Sequence, residues 1–181
     1  ELSVGNHSIG STTGSIISGI VTTTQLFVGS GSTVISATTS GVGIGSLQPK
    51  AALDVLSPAR IQSYYEIPQT VTSSSGVITL DLSSAQTFLH TTTEDVTHFV
   101  LSNPIPGSTA SFTLKITQGA TARTVDIDDF RSTVGTGISV FWPGGVVPTL
   151  TNNANKTDIY SFMTFDGGTN LYGVVGGQNF S

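Results

Sequence analysis

The sequence predicts an all-β protein, with an N-terminal intertwined fibrous β segment over residues 1–58 and a β-sandwich, jelly-roll-like head over residues 59–181. Short runs of alternating apolar and polar residues recur along the head. Each run ends at Gly, Pro, Asn or Asp, which is typical of strands joined by turns. No run places apolar residues at helical spacing. Hydrophobic residues make up 37% of the chain and the mean hydropathy is +0.20. This content favours a folded chain, since disordered chains combine low hydrophobicity with high net charge.

Charge and cysteine content exclude several classes of function. The net charge is −5 and the six Lys and Arg residues are scattered. The chain therefore lacks the basic surface that nucleic acids or anionic membranes require. It contains no cysteine, which excludes disulfides and thiolate metal sites. No apolar run approaches membrane-spanning length, and no cofactor is predicted. Because the chain begins at Glu1, we expect a processed product or part of a longer chain.

Residues 1–45 form a zone in which more than half of the residues are Gly, Ser or Thr, and Glu1 carries its one charge. Short apolar runs such as Leu26–Val28 recur between the glycines. Thr, Val and Ile favour extended structure, but such a segment alone buries little surface. We expect several copies to wrap together and bury one another's apolar runs; the alternative is a flexible linker. Charged residues are 9% of the chain, which also favours burial of surface in an oligomer.

Residues 41–58 read as a joint between the two parts. Three alternate glycines begin at Gly41, and Leu53–Leu56 is predicted as a short strand that Pro58 ends. The Gly-x-Gly-x-Gly spacing resembles a phosphate-binding loop. Such a loop needs a preceding strand and a following amphipathic helix, which the short run before Pro58 cannot form. We therefore predict no nucleotide site here.

The head is predicted to contain about eight short strands. In the run from Ser111 to Thr117, alternation directs Phe112, Leu114 and Ile116 to the core and the intervening residues outward. The last two strands flank Asp166–Thr169, a strong hairpin signal because the turn needs residues that tolerate positive φ. The predicted strands are Val77–Leu82, Thr87–Thr91, Val96–Leu101, Ser111–Thr117, Thr124–Ile127, Ile138–Trp142, Asp158–Phe165 and Asn170–Gly176.

Three histidines and a group of acids are the candidate metal ligands. His90 and His98 bracket a turn that contains Glu94 and Asp95, whereas His7 lies in the fibrous zone. A metal site needs ligands at matched spacing on one rigid face. The spacing here is that of an ordinary turn, so we interpret these residues as polar surface groups.

Asp126, Asp128 and Asp129 are the densest acids, and such an oxygen-rich group is a weak candidate for Ca²⁺. The twelfth position counted from Asp126 is a glycine, so the EF-hand pattern fails. The alternative is a solvated strand end whose acids form ion pairs with Arg123 or Arg131.

No catalytic motif is present: the chain has no Gly-x-Ser-x-Gly elbow and no Cys nucleophile. A glycan-cleaving acid pair is not excluded by spacing, but one Trp and four Tyr are few for an aromatic-lined cleft. Trp142 and Tyr172, with Tyr160 and Phe165, could stack on sugar rings. In β domains such residues more often anchor a core or a subunit interface. The sequence therefore predicts no enzyme.

A set of turn and strand motifs points to a family. In the head they are Val77–Leu82, Asn103–Gly107, Phe112–Gln118, Arg123–Val125, Trp142–Gly145 with Pro148–Leu150, and Asp158, Phe162 and Asp166–Gly168 through Gly173. This pattern resembles a domain common at the ends of structural and tail-fibre-like proteins of tailed bacteriophages. In the first zone, Gly19–Thr22 with Phe27–Gly29, and Val42–Gly45 with Leu53–Val55, resemble repeats in fibre-type proteins of marine cyanobacterial phages. The chain departs from the pattern at Asp126–Phe130, where the family often continues Thr-Val with Trp-Pro.

The resemblance implies a homotrimer, intertwined at its N-terminal part and with heads packed around a threefold axis. It implies a non-enzymatic virion protein, such as a fibre, whisker or capsid decoration protein, whose partners are its own copies and other virion proteins. The alternative is a receptor-binding fibre tip that recognises host surface glycans through Trp142 or Tyr172.

Overall fold

The structure is a computed structural model that describes residues 35–38, 41–46 and 48–181, with the backbone alone for residues 35–38. It divides the chain into two compact units, Glu1–Ser63 and Tyr64–Ser181. This division falls shortly after the boundary that the sequence predicts at residue 58. Most of the predicted fibrous segment, including His7, lies outside the described residues, so its intertwining stays a prediction.

In the first unit, three strands form one small sheet: β1 (Ile35–Thr38), β2 (Gly41–Ile44) and β3 (Leu53–Val55). β1 and β2 pair antiparallel, and β2 and β3 pair parallel. The loop that joins β2 to β3 is held by Asp54, whose Oδ2 accepts hydrogen bonds from Ser46 Oγ at 2.9 Å and Lys50 N at 3.1 Å. The predicted joint at residues 41–58 thus contains two paired strands and the loop that connects them.

The second unit, which we call the head, is built almost entirely of strands. One short 3₁₀ turn covers Pro143–Gly145, and the described residues contain no α-helix. Accordingly, nothing in the described part of the chain is a helix long and apolar enough to cross a membrane. The strands are β4 (Gln69–Thr70), β5 (Val77–Asp81), β6 (Thr87–Thr91), β7 (His98–Ser102), β8 (Ala110–Thr117), β9 (Phe130–Ser132), β10 (Gly137–Phe141), β11 (Thr157–Thr164) and β12 (Asn170–Phe180).

These nine strands form one continuous sheet in the order β4-β6-β8-β11-β12-β10-β9-β7-β5. The sheet curls so that its first five strands face its last four across the core. Consecutive strands from β4 to β8 lie alternately in the two halves, so neighbours within a half are two strands apart in the chain and run parallel. The all-β class is confirmed. The jelly-roll expectation is not met in its finer detail, because a jelly roll consists of antiparallel Greek keys.

The core between the two halves is dominated by phenylalanine. Phe112 on β8 and Phe162 on β11 stack with ring centroids 5.1 Å apart, and Phe130 on β9 packs against Phe162 at 4.9 Å. Phe99 on β7 stacks on Phe130 at 4.9 Å. Aromatic pairs at these separations stabilise a core beyond their area of burial, by about 0.5–1.5 kcal/mol each. They hold the curled sheet closed on itself.

Alternation along β8 directs side chains as the sequence predicts. Phe112, Leu114 and Ile116 are buried, and Ser111 and Lys115 are exposed. Every second residue of the paired strand β11 is also buried. A shift of one residue in the register would turn the buried side chains outward, so this alternation favours the observed register.

Of the eight predicted strands of the head, the run Thr124–Ile127 is not a strand. It contributes a single bridge, between Val96 and Val125. The reason lies in the next residues: Asp126 Oδ1 accepts a hydrogen bond from the Asp128 backbone N–H at 3.2 Å, which turns the chain. Phe130 then enters the core at the start of β9.

Candidate functional site

Trp142 lies in the core, with 7% of its surface exposed. Its ring makes edge-to-face contacts with Tyr160 and Phe162, at centroid separations of 6.2 and 5.6 Å. Gly173 on β12 leaves room for the indole, because a Cβ there would lie 2.6 Å from a ring carbon. The indole Nε1–H donates to Asp128 Oδ1 at 2.6 Å. Trp142 therefore offers no ring face to a ligand and anchors the core instead.

Tyr172, by contrast, lies on the outer side of β12 with 44% of its surface exposed. Its ring stacks on that of Phe141, its register partner on β10, at 5.3 Å. Phe165 contacts the same ring edge-to-face at 5.6 Å. The sequence singled out Tyr172 and Phe165 but not Phe141, which only the pairing of β10 with β12 brings beside them.

Two further exposed apolar residues extend this group. Met163 is the register partner of Tyr172 on β11, and Val174 follows two positions later on the same side of β12. Both are 41% exposed. We call these five residues, Phe141, Met163, Phe165, Tyr172 and Val174, the aromatic face. They carry no charge and sit in the middle of the outer surface of the curled sheet.

The three clustered acids have separate partners rather than a common centre. Asp129 forms a two-pronged ion pair with Arg131, with nitrogen–oxygen distances of 2.9 and 2.6 Å. The Arg131 hydrogen bond lowers the pKa of the Asp129 carboxyl. Asp128 accepts from Trp142, and Asp126 accepts a backbone N–H. Within the described residues, no three His, Cys, Asp or Glu side chains come together in a group that could hold a metal ion.

The histidines also lie apart. His90 is buried, 2% exposed, with Nδ1 3.0 Å from the Val71 carbonyl oxygen, so the expectation of a surface residue is wrong for it. It is drawn inward because alternation along β6 places it on the core side with Phe88. His98 lies at the start of β7, with Nδ1 3.1 Å from Thr97 Oγ1. The intervening Glu94 accepts the backbone N–H of Gly76 at 3.2 Å.

The acidic side chains of the described residues all accept hydrogen bonds within the protein. The sequence has eleven Asp and Glu residues, and each of them except Glu1, which lies outside the described residues, accepts a hydrogen bond from the protein itself. For half of them the donor is a backbone N–H or hydroxyl within eight residues in the chain, and for the other half it is a more distant group or the side chain of Trp142 or Arg131. The residues are Asp54, Glu66, Asp81, Glu94, Asp95, Asp126, Asp128, Asp129, Asp158 and Asp166.

Asp158 is the most deeply engaged of these acids, 2% exposed. Its Oδ1 accepts from the Asn179 backbone N–H at 2.9 Å, and its Oδ2 accepts from the Thr151 N–H at 2.7 Å. Tyr160 Oη and Gln178 Nε2 also donate to Oδ2, each at 3.2 Å. Burial raises the pKa of the Asp158 carboxyl, but the hydrogen bonds from Thr151 and Asn179 outweigh it, so the pKa lies below its ordinary value. This cluster ties the loop before β11 and the end of β12 to the core.

Asp166 holds the hairpin that the sequence predicts. Its Oδ1 accepts from the backbone N–H groups of Thr169 and Asn170, both at 3.0 Å, and its Oδ2 accepts from Asn170 Nδ2 at 2.7 Å. Hydrogen bonds from Asn170 lower the pKa of the Asp166 carboxyl. Gly167 and Gly168 adopt positive φ, 73° and 87°, as such a turn requires.

Three open grooves lie on the head, with volumes of about 270 to 400 Å³. One runs between the free edges of β4 and β5 and is lined mainly by Thr and Ser. Glu66 is the one acid that lines any of the three. None of these grooves therefore presents the facing pair of carboxyl groups that glycoside cleavage uses.

Comparison with known proteins adds no relative. No protein-family model matches the chain, and the searches of characterised proteins and of solved structures return no match.

Proposed function

We propose that this chain is a non-enzymatic structural component of a bacteriophage virion and assembles there as a homotrimer. The observation that carries the proposal is the aromatic face. It exposes three aromatic rings and two aliphatic side chains on a head whose interior is already closed, and a covering partner would remove this surface from water. Contiguous exposed apolar patches of a few hundred Å² mark interaction surfaces.

The placement of the charges supports a mechanical role. Each acid of the described chain accepts a hydrogen bond from the protein itself, and Asp158 and Asp166 each hold a loop or turn in place. An enzyme that works by acid–base catalysis keeps at least one such group turned toward a cleft. Here the acids are used to fix turns, which suits a protein that transmits load or holds a surface together.

The first test is the oligomeric state of the full chain, measured by light scattering at micromolar concentration. A trimer is expected for the natural chain. The variant Tyr172→Ser, which removes the central ring of the aromatic face, is expected to shift the equilibrium toward monomer. Val134→Ser is the matched control, since Val134 is exposed on the turn between β9 and β10 and lies outside the face. A monomeric natural chain contradicts the proposal.

The second test is the location of the chain. Quantitative mass spectrometry of purified particles is expected to find it in a copy number divisible by three. Particles that lack the chain contradict the virion assignment.

Glycan recognition is the second candidate function, and the exposed ring of Tyr172 favours it. An aromatic ring open to solvent on a sheet stacks well on the apolar side of a sugar ring. Binding on a glycan array that Tyr172→Ser abolishes and Val134→Ser retains is the expected result for a receptor-binding tip. Uniform absence of binding, together with stoichiometric incorporation into particles, excludes it.

A further inference from the structure

The chain that leads into the head carries a second unpartnered apolar surface. Residues 64–68 belong to no strand, and their described hydrogen bond runs from Thr87 Oγ1 to Glu66 Oε2 at 2.9 Å. Tyr64, Tyr65 and Ile67 are 72% to 95% exposed. We call residues 64–68 the arm. Two tyrosines and an isoleucine this exposed within four residues are unusual, because large apolar side chains normally lose most of their exposure on folding.

We propose that the arm of one copy docks on the aromatic face of a neighbouring copy of this chain. This inference rests on the proposed self-assembly and names the contact that performs it. The face carries no charged side chain and the arm carries one, Glu66, which is bonded to Thr87 of its own head. Both are rich in aromatic side chains, which favour ring–ring contacts at protein interfaces.

The arm does not cover the aromatic face of its own head. Tyr65 is 95% exposed, and the hydrogen bond from Thr87 Oγ1 to Glu66 Oε2 holds the arm beside β6. In the strand order, β6 lies two strand spacings from β11 and three from β12, or about 10 and 14 Å. The face is therefore open to the arm of a second copy.

The areas agree with a specific contact. With aromatic side chains of about 150–250 Å² each, the exposed fractions amount to roughly 500 Å² on the arm and roughly 450 Å² on the face. One arm on one face thus buries at most about 950 Å² of apolar surface, and polar neighbours must supply the rest of the roughly 1,000 Å² that a specific interface reaches. A face-to-face dimer would leave both arms exposed to water.

The geometry of the contact determines the form of the assembly. Arm and face are different surfaces, so each copy gives its arm to one neighbour and receives an arm from another. Contacts of this heterologous kind close into rings when the rotation between neighbouring copies closes, and they extend into filaments when it does not. A ring of three copies is the assembly that the homotrimer requires.

The natural chain has no cysteine, so introduced cysteines report contacts without background. The experiment is oxidative crosslinking of the full-chain variant that combines Tyr65→Cys with Tyr172→Cys. The expected result is a series of covalent bands that ends at the trimer, while each single variant stays monomeric on a denaturing gel. The control pair combines Tyr65→Cys with Val134→Cys, whose second site is 86% exposed but lies off the face; no crosslink is expected from it.

A quantitative measurement complements the crosslinking. Ile67→Ser is expected to raise the dissociation constant of the oligomer at least about fivefold, because truncation of a central apolar anchor costs more than about 1 kcal/mol. Val134→Ser is expected to leave the constant unchanged. Both positions are exposed, so neither variant disturbs the folded head.

The outcomes separate the two proposals. A natural chain that is monomeric refutes the self-assembly itself. An oligomer of the double variant in which no disulfide forms between positions 65 and 172 refutes only the docking of the arm. A covalent dimer of the single variant Tyr172→Cys shows face-to-face pairing instead. Glycan binding through Tyr172 by an oligomer that does not crosslink assigns the face to sugar and overturns the proposal.

Discussion

Replacement of Asp158 by Asn tests how the loops of the head are held. The substitution keeps the size and shape of the side chain but changes one acceptor oxygen into an NH₂ group and removes the charge. Both oxygens of the Asp158 carboxylate accept hydrogen bonds, four in all. The new NH₂ group must therefore face a donor whichever way the amide is turned. We expect the head to remain folded and to lose stability.

The size of the loss follows from the contacts. If the amide oxygen keeps the position of Oδ2, its NH₂ group opposes the Asn179 backbone N–H, which lies 2.9 Å from Oδ1. A hydrogen bond to a charged group contributes about 1.5–3 kcal/mol, and a buried donor left unpaired costs about 1–3 kcal/mol. Because these two quantities overlap, we expect Asp158→Asn to lower the free energy of unfolding by about 3 kcal/mol at pH 7. That loss corresponds to a fall of about 10 °C in the melting temperature of a domain of this size.

The loss should depend on pH in a defined direction. The pKa of the Asp158 carboxyl in the folded head lies below its ordinary value of 3.8. Its contribution to stability is therefore complete above the unfolded pKa and is lost as the pH falls through the folded pKa. The stability gap between the natural chain and Asp158→Asn should be constant from pH 7 to about pH 5 and should narrow below about pH 4. The other turn acids are common to both proteins and cancel in the difference.

Trp142 provides the assay, since it is the one tryptophan of the chain and its ring contacts Tyr160 beside Asp158. Urea unfolding followed by tryptophan fluorescence gives the free energy of each variant. Asp126→Asn is the matched control. Asp126 is exposed, and its Oδ1 accepts one described hydrogen bond, from the Asp128 backbone N–H, which an amide oxygen can also accept. We therefore expect a change within about 0.5 kcal/mol. A loss below 1 kcal/mol for Asp158→Asn, or a gap that stays constant down to pH 3, would refute the reasoning.

Two further predictions concern glycines at close approaches. Gly173→Ala should destabilise the head by about 1–3 kcal/mol, because the new methyl group would lie 2.6 Å from the Trp142 ring in a packed core. An unchanged urea midpoint would contradict this close packing of Gly173 on Trp142. Gly167→Ala should cost more than Gly135→Ala in thermal unfolding, although both glycines have positive φ, 73° and 82°. The added methyl at Gly167 would meet the Gly107 backbone nitrogen at 2.6 Å, whereas at Gly135 nothing lies within 4 Å. Equal losses would show that backbone strain alone decides.

The parts of the head that alternation determines were predictable from sequence. The strand Thr87–Thr91 and the inward set on β8 agree with the structure. The hairpin at Asp166–Thr169 is also confirmed, because Asp and Gly there have few conformations that join two strands. In each case a local rule, a period of two or a positive φ, is sufficient to fix the structure.

The strand order was not predictable, because it depends on which half of the sheet each short loop enters. Loops such as the one between Asp81 and Thr87 connect the two halves of the sheet rather than turn back within one half, and nothing in their composition distinguishes the two routes. The aromatic face depends on this strand order. Phe141 and Tyr172 are distant in sequence and meet only because β10 pairs parallel with β12. A surface built by pairing cannot be read from either strand alone.

The low charge of the chain makes the aromatic face more consequential than it would be on an ordinary surface. Proteins stay soluble largely through net charge and charged surface groups. Here 9% of residues are charged. Few charged groups are therefore available to surround an exposed apolar patch, so an uncovered face would favour association. The proposed docking of the arm would direct that association to one geometry, and it predicts that Tyr65→Ser, by leaving the face uncovered, lowers solubility while it lowers the population of the oligomer. A soluble monomer of this variant at high concentration would show that the face needs no partner.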